Sequence, residues 1–229
     1  MKLQICASII GKNIAEVKKS IKYAEDKGAD LIEIRFDYHT EKLKLKDIRN
    51  LTSLPLIATN RPLMQGGLYR GKEEDRQEVL FNAAESGFNF IDLEIDTPKI
   101  EKTISNFRKK DVKLILSWHS FLPSTFDEIE SKYMKMNILN ADISKIVITA
   151  KTMKDNWTCL NFLYNTSTTA KIICFCMGPL GGVSRILSPL FGGAFTYASA
   201  IKGKEAAIGQ LTVDETKKIY RLLGVNSEY

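Results

Sequence analysis

The sequence predicts an α/β fold, an eight-stranded parallel (β/α)8 barrel of the TIM type. Short runs rich in Ile, Val, Leu and Phe alternate from end to end with stretches of helical periodicity. The strand-like runs number eight: 2–8, 31–37, 54–60, 89–95, 113–118, 145–150, 171–177 and 194–198. No linker or low-complexity tract interrupts them, and helices rather than hairpins connect them, which points to a parallel sheet. Eight units fit a closed barrel, with an open doubly wound sheet as the alternative.

The elements follow in order. The first strand lies in "LQICASI", and Asn13 with Glu16 resembles a capping box opening the helix that Gly28 closes. The second strand lies in "DLIEIRFDY" and the third ends near Asn60. A helical pattern over 72–86 stops at Gly87. After "FIDLEID", Thr97 reads as an N-cap with Pro98 at the first helical position. The fifth strand closes on His119 in "LILSWHS", and the sixth lies in "ADISKIVITA". Only a short helix, 183–190, fits between strands seven and eight. Thr212 with Glu215 forms another capping box, before a C-terminal helix ending at Gly224.

At 229 residues, 44% hydrophobic and 26% charged, the chain has an ordinary soluble composition and can form one domain over 1–229. No segment reaches the ~18 apolar residues of a membrane helix. The start, "MKLQICASIIGKN", reads as a strand rather than a secretory signal. Cys6, Cys159, Cys174 and Cys176 have neither disulfide density nor zinc spacing; reduced core thiols suit the cytoplasm. Thirty-three basic against 27 acidic residues give +6, spread along the chain with no basic stripe interleaved with aromatics. That argues against nucleic acid and fits a site for a small anion. "GPLGGVSR" lacks the strand–GxGxxG–helix spacing of a dinucleotide site.

Strand side chains alternate between faces, so the pattern maps the interior. Glu33, Arg35 and Asp37 share one face, as do Asp92, Glu94 and Asp96, and Gln4, Cys6 and Ser8. The opposite faces are apolar and must meet the helices, so these polar faces line the barrel. A barrel built only for stability fills that space with branched apolar residues. Lys145 shares its face with Val147 and Thr149. The plain alternative places it in water on an edge strand; buried, it must be paired, neutral or chemically employed. Of the two histidines, His39 falls in a charged loop and His119 at a strand end, where barrel sites sit. No zinc set and no nucleophile elbow is present. What remains is a lysine beside a histidine. A neutral lysine amine can form an imine with a ketone, and the imine acidifies the neighbouring carbon for a base such as His119.

These motifs, in order, resemble the type I 3-dehydroquinate dehydratases of the shikimate pathway. The matching segments are "ICASIIG", "DLIEIRFD", "PLIATNRP…GG", "FIDLEI", "LILSWHSF", "ADISKIVI", "GGVSR" and "GQL". The resemblance implies an eight-stranded barrel, commonly homodimeric, that needs no metal or organic cofactor. It implies dehydration of 3-dehydroquinate to 3-dehydroshikimate, with Lys145 forming the imine and His119 serving as general acid and base. It further implies Ser8, Glu33, Arg35 and Arg61 as substrate ligands, Arg185 on the substrate carboxylate, and Gln210 closing over the ring. Three positions depart from the family pattern: Gln65 replaces a frequent glutamate, Ser120 follows the histidine in place of Asp or Asn, and Ala206 replaces a small polar residue. A lysine-dependent aldolase and a non-catalytic binding barrel stand as rival readings.

Overall fold

The computed structural model describes residues 3–41, 44–166 and 170–225. Eight parallel strands form the sheet: β1 (Ile5–Ile9), β2 (Leu31–Arg35), β3 (Leu56–Thr59), β4 (Phe90–Glu94), β5 (Lys113–His119), β6 (Ile143–Thr149), β7 (Ile172–Met177) and β8 (Thr196–Ser199). Their order is β7-β6-β5-β4-β3-β2-β1-β8. The two end strands approach one another where Ala194 N donates to Ile172 O at 2.7 Å. The result is a nearly closed barrel with helices between the strands.

Both faces of the strands are buried, as expected for a parallel sheet. Ile32, Ile34, Ile146 and Ile148 point outward into the core shared with the helices. Leu31, Ile57, Ile115, Ile143 and Ile173 point inward and, with Phe195, fill one end of the barrel. Glu33, Thr59, Ser117 and Lys145 stand on this apolar plug, two positions further along β2, β3, β5 and β6, while β7 continues it with Phe175.

The helices are α1 (Ile14–Asp26), α2 (Leu45–Arg49), α3 (Glu73–Glu85), α4 (Ile100–Phe107), α5 (Phe126–Ile138), α6 (Met153–Thr166), α7 (Gly182–Leu187) and α8 (Val213–Leu222). Asn13 caps α1 by accepting from Glu16 N, while the Glu16 carboxylate accepts from Lys12 N, so the box is only half made. The box of Thr212 and Glu215 is complete. An unanticipated box, Thr125 with Glu128, opens α5. The 183–190 stretch is α7 followed by a 3-10 turn, Ser188–Phe191.

Four expectations need correction. Thr97 does not cap α4, which starts after Lys99; its hydroxyl accepts from Arg76 Nη2 at 3.2 Å instead. Strand two stops at Arg35, and Asp37 lies in a 3-10 turn, Phe36–Tyr38, though it stays buried. Asp96 and Gln4 lie beyond the strands and are exposed, Asp96 beside Lys132 and Lys135. Strand six begins at Ile143, two residues earlier than expected, so Lys145 stands well inside it. The first residue of the expected 2–8 strand lies outside the described residues.

Candidate active site

A cavity of about 440 Å3 opens at the C-terminal ends of the strands. Lys145, His119 and Arg185 line it, as do Ser8, Glu33, Arg35, Arg61 and Gln210. Alternation brings most of them there. Position 33 on β2, 117 and 119 on β5, and 145 and 147 on β6 all face inward, and the register sets Ser117 beside Lys145 and His119 beside Val147. Arg185 comes from α7 and Gln210 from the segment before α8. His39 stays outside the cavity, its Nδ1 donating to the Gly11 carbonyl.

Lys145 is 5% exposed. Its Nζ donates to Asp92 Oδ2 at 2.8 Å, lies 3.7 Å from Glu33 Oε1, and sits 4.1 Å over the Tyr197 ring. Asp92 is shared: Arg61 Nη2 donates to the same oxygen at 2.7 Å, and Ser117 Oγ donates to Oδ1 at 2.6 Å. Arg61 Nη1 donates to Glu94 Oε1 at 2.6 Å, and Arg76 Nη1 lies 2.7 Å from Glu94 Oε2. Burial alone would raise the Asp92 carboxyl, but Arg61 and Lys145 outweigh it and hold it far below the usual carboxylate range. Asp92 is therefore a fixed anion at neutral pH.

Glu33 accepts from Ser8 Oγ at 2.7 Å and from Thr59 Oγ1 at 2.8 Å, and Gln210 Nε2 donates to Ser8 Oγ at 3.3 Å. Asp37 grips Arg35 through two hydrogen bonds, 2.9 and 2.7 Å, and accepts from Arg61 N and Leu68 N. Burial, reinforced by Arg61 and Lys145, pushes His119 well below its ordinary value against the pull of Asp92. The imidazole is neutral at neutral pH and able to accept a proton.

Arg185 is 3% exposed, forms no ion pair among the described residues, and stacks 4.4 Å over the Phe175 ring. Burial pushes its guanidinium down to about 10, which leaves it charged at neutral pH. A buried, uncompensated guanidinium at a cavity wall invites a carboxylate. The departing positions lie around this mouth: Gln65 Oε1 accepts from His119 N at 3.0 Å, Ser120 Oγ donates to Leu122 O at 2.9 Å, and Ala206 N donates to Gln210 Oε1 at 3.0 Å. Among the described residues no cluster of metal-ligating side chains occurs and no helix is long and apolar enough to cross a membrane.

Residues 5–227 match the family model of type I 3-dehydroquinase. The chain belongs to that family. Its activity is accordingly that of a hydro-lyase, the dehydration of 3-dehydroquinate in the shikimate pathway. A 3-dehydroquinate dehydratase of Methanosarcina acetivorans is 33% identical to this chain over 230 residues, 95% of each. One of Dehalococcoides mccartyi is 34% identical over 209 residues, 91% of this chain and 92% of the other. The crystal structure of the Clostridium difficile type I enzyme superimposes with a TM-score of 0.85 at 27% identity, covering 97% of this chain and 92% of that one. Family membership displaces the aldolase alternative.

Sequence reasoning missed Arg76, Ser117, Thr59 and Tyr197. The last three were within reach, because they fall on the inward parity of β5, β3 and β8. Arg76 gives no such signal: it reaches the interior from α3, where a lone arginine reads as a solvated face.

Proposed function

We propose that this hydro-lyase works through an imine on Lys145, with His119 moving the protons. The Lys145 amine adds to the ring ketone of 3-dehydroquinate and water leaves, giving an iminium. His119 takes a proton from the adjacent carbon, and the iminium accepts the electron pair as an enamine. Collapse of the enamine expels the hydroxyl, to which His119 returns the proton, so water departs. Hydrolysis of the conjugated iminium then frees 3-dehydroshikimate and the lysine. The supporting observation is the buried Lys145 Nζ held at the floor of the cavity that His119 also lines. The pressures that keep His119 neutral make its imidazolium a strong acid, suited to the second transfer.

Arg185 binds the substrate carboxylate in this reading. Ser8, Glu33, Arg35 and Arg61 hold polar groups of the ring, and Gln210 covers it. No cofactor is required. The single catalytic domain spans 1–229, acts in the cytoplasm and pairs with a second copy. Pairing is supported by exposed apolar side chains on two neighbouring helices, Met134 and Ile138 on α5 with Trp157 and Tyr164 on α6. Exposed charges of both signs, Glu130 and Lys154, flank them, as a self-complementary contact requires. Sedimentation of the wild type and Trp157→Lys tests this: loss of the dimer in the variant is expected, and a monomeric wild type refutes it.

The test of the chemistry is borohydride reduction during turnover, followed by mass spectrometry of a digest. A stable adduct on Lys145 is expected, and Lys145→Ala should be inactive. An adduct on Lys151 or Lys154, or turnover without Lys145, overturns the mechanism.

A further inference from the structure

We infer that the aromatic face of Tyr197 is a positioning element for this reaction, holding the nitrogen of Lys145 once it has become an iminium. The inference rests on the imine reading of Lys145. Three groups surround the Nζ: Asp92 Oδ2 at 2.8 Å, Glu33 Oε1 at 3.7 Å, and the Tyr197 ring centroid at 4.1 Å. The Asp92 contact is a hydrogen bond and needs an N–H donor, while Glu33 lies at ion-pair distance. Forming the iminium leaves the nitrogen with one proton in place of three, so the hydrogen bond to Asp92 survives only if that proton points at Oδ2. The attraction of a cation to a ring face needs no donor and persists through the change. Asp92 is also shared with Arg61, so its charge is not given to Lys145 alone.

The ring is held where this requires. Tyr197 is buried and lies against Phe195 at 5.4 Å and Phe175 at 6.3 Å, both tilted. Phe175 in turn carries Arg185 on its face. The two cations assigned to ketone and carboxylate thus rest on adjoining rings of β7 and β8. The Tyr197 hydroxyl has no hydrogen-bond partner among the described residues, so the face rather than the phenol is the working part.

The experiment replaces Tyr197 with phenylalanine and with 4-fluoro-, 3,5-difluoro- and 3,4,5-trifluorophenylalanine by suppression of a stop codon. Each fluorine weakens the negative face with little change of shape. The fraction of enzyme trapped by borohydride at saturating 3-dehydroquinate is measured with kcat and the melting temperature. Tyr197→Phe should match the wild type within about twofold, and trapping and kcat should then fall stepwise, by about 2- to 30-fold over the series. The melting temperature should stay constant. A flat series overturns the inference, as does a loss already complete in Tyr197→Phe, which would assign the role to the hydroxyl. Failure of the imine reading itself is seen separately, as the absence of any adduct in the wild type.

Discussion

The side-chain oxygen of Gln65 accepts the backbone N–H of His119 at 3.0 Å, while the ring Nδ1 of that histidine is buried without a partner among the described residues. Gln65 thus pins the end of β5 and brings no charge to the imidazole. A carboxylate at the same point would stabilise the imidazolium and raise its pKa. His119 must be neutral to take the proton, so Gln65→Glu should move the acidic limb of kcat to higher pH, by a fraction of a unit to about one unit. Overlapping limbs at equal ionic strength would show that residue 65 does not tune the base.

The depressed His119 also affects stability. Below the unfolded value of about 6.5 the unfolded chain binds a proton that the folded chain refuses. Stability is then lost as pH falls, by up to about 1.4 kcal/mol per unit from this one group. The difference in urea-unfolding free energy between the wild type and His119→Asn should therefore change between pH 7.5 and pH 5.5, to the disadvantage of the wild type. A constant difference would mean that the folded imidazole titrates normally.

Removing the unpaired guanidinium of Arg185 should weaken binding of the substrate carboxylate by roughly 2–5 kcal/mol. Arg185→Ala should raise the KM for 3-dehydroquinate steeply. Arg185→Lys should recover little, because an ammonium cannot copy the two-pronged geometry. An unchanged KM would transfer the carboxylate to Arg35 or Arg61.

Gly67 lies against the backbone of Arg61: an added Cβ would stand 1.9 Å from the Arg61 carbonyl oxygen. Gly67→Ala must displace the strand end that aims Arg61 at Asp92 and Glu94. Misplacement of about 1 Å can cost on the order of 10²-fold in rate. Gly182→Ala, where the nearest atom outside its own helix is 4.0 Å away, should retain activity. Equal activity of the two variants would show that the Arg61 position is not critical.

Much of the site was legible because polar and apolar residues alternate in β1, β2 and β4. The inward placement of Glu33, Arg35, Asp92 and Glu94 follows from parity, whereas for Lys145 parity alone left a solvated edge strand open. Parity fails once a strand ends, which is why Asp96 and Gln4 fall outside and Asp37 turns back to grip Arg35. Local capping rules located α1 and α8 but misjudged Thr97, whose hydroxyl is engaged by an arginine from α3. Such long-range partners leave no trace in a local pattern. For the same reason neither the bond from Gln65 to His119 nor the ring beneath Lys145 could be read in advance.

The charged floor also shapes how the protein can change. Arg61, Asp92, Glu94 and Arg76 occupy space that a purely structural barrel gives to branched apolar side chains. Removing one member strands its partners and costs about 3–5 kcal/mol, whereas replacing a whole buried set with packed apolar residues is often neutral or stabilising. The working enzyme is therefore surrounded by weaker single mutants, while a sturdier, inert barrel lies several substitutions away. Selection for heat resistance alone, applied to these positions together, would lead away from catalysis.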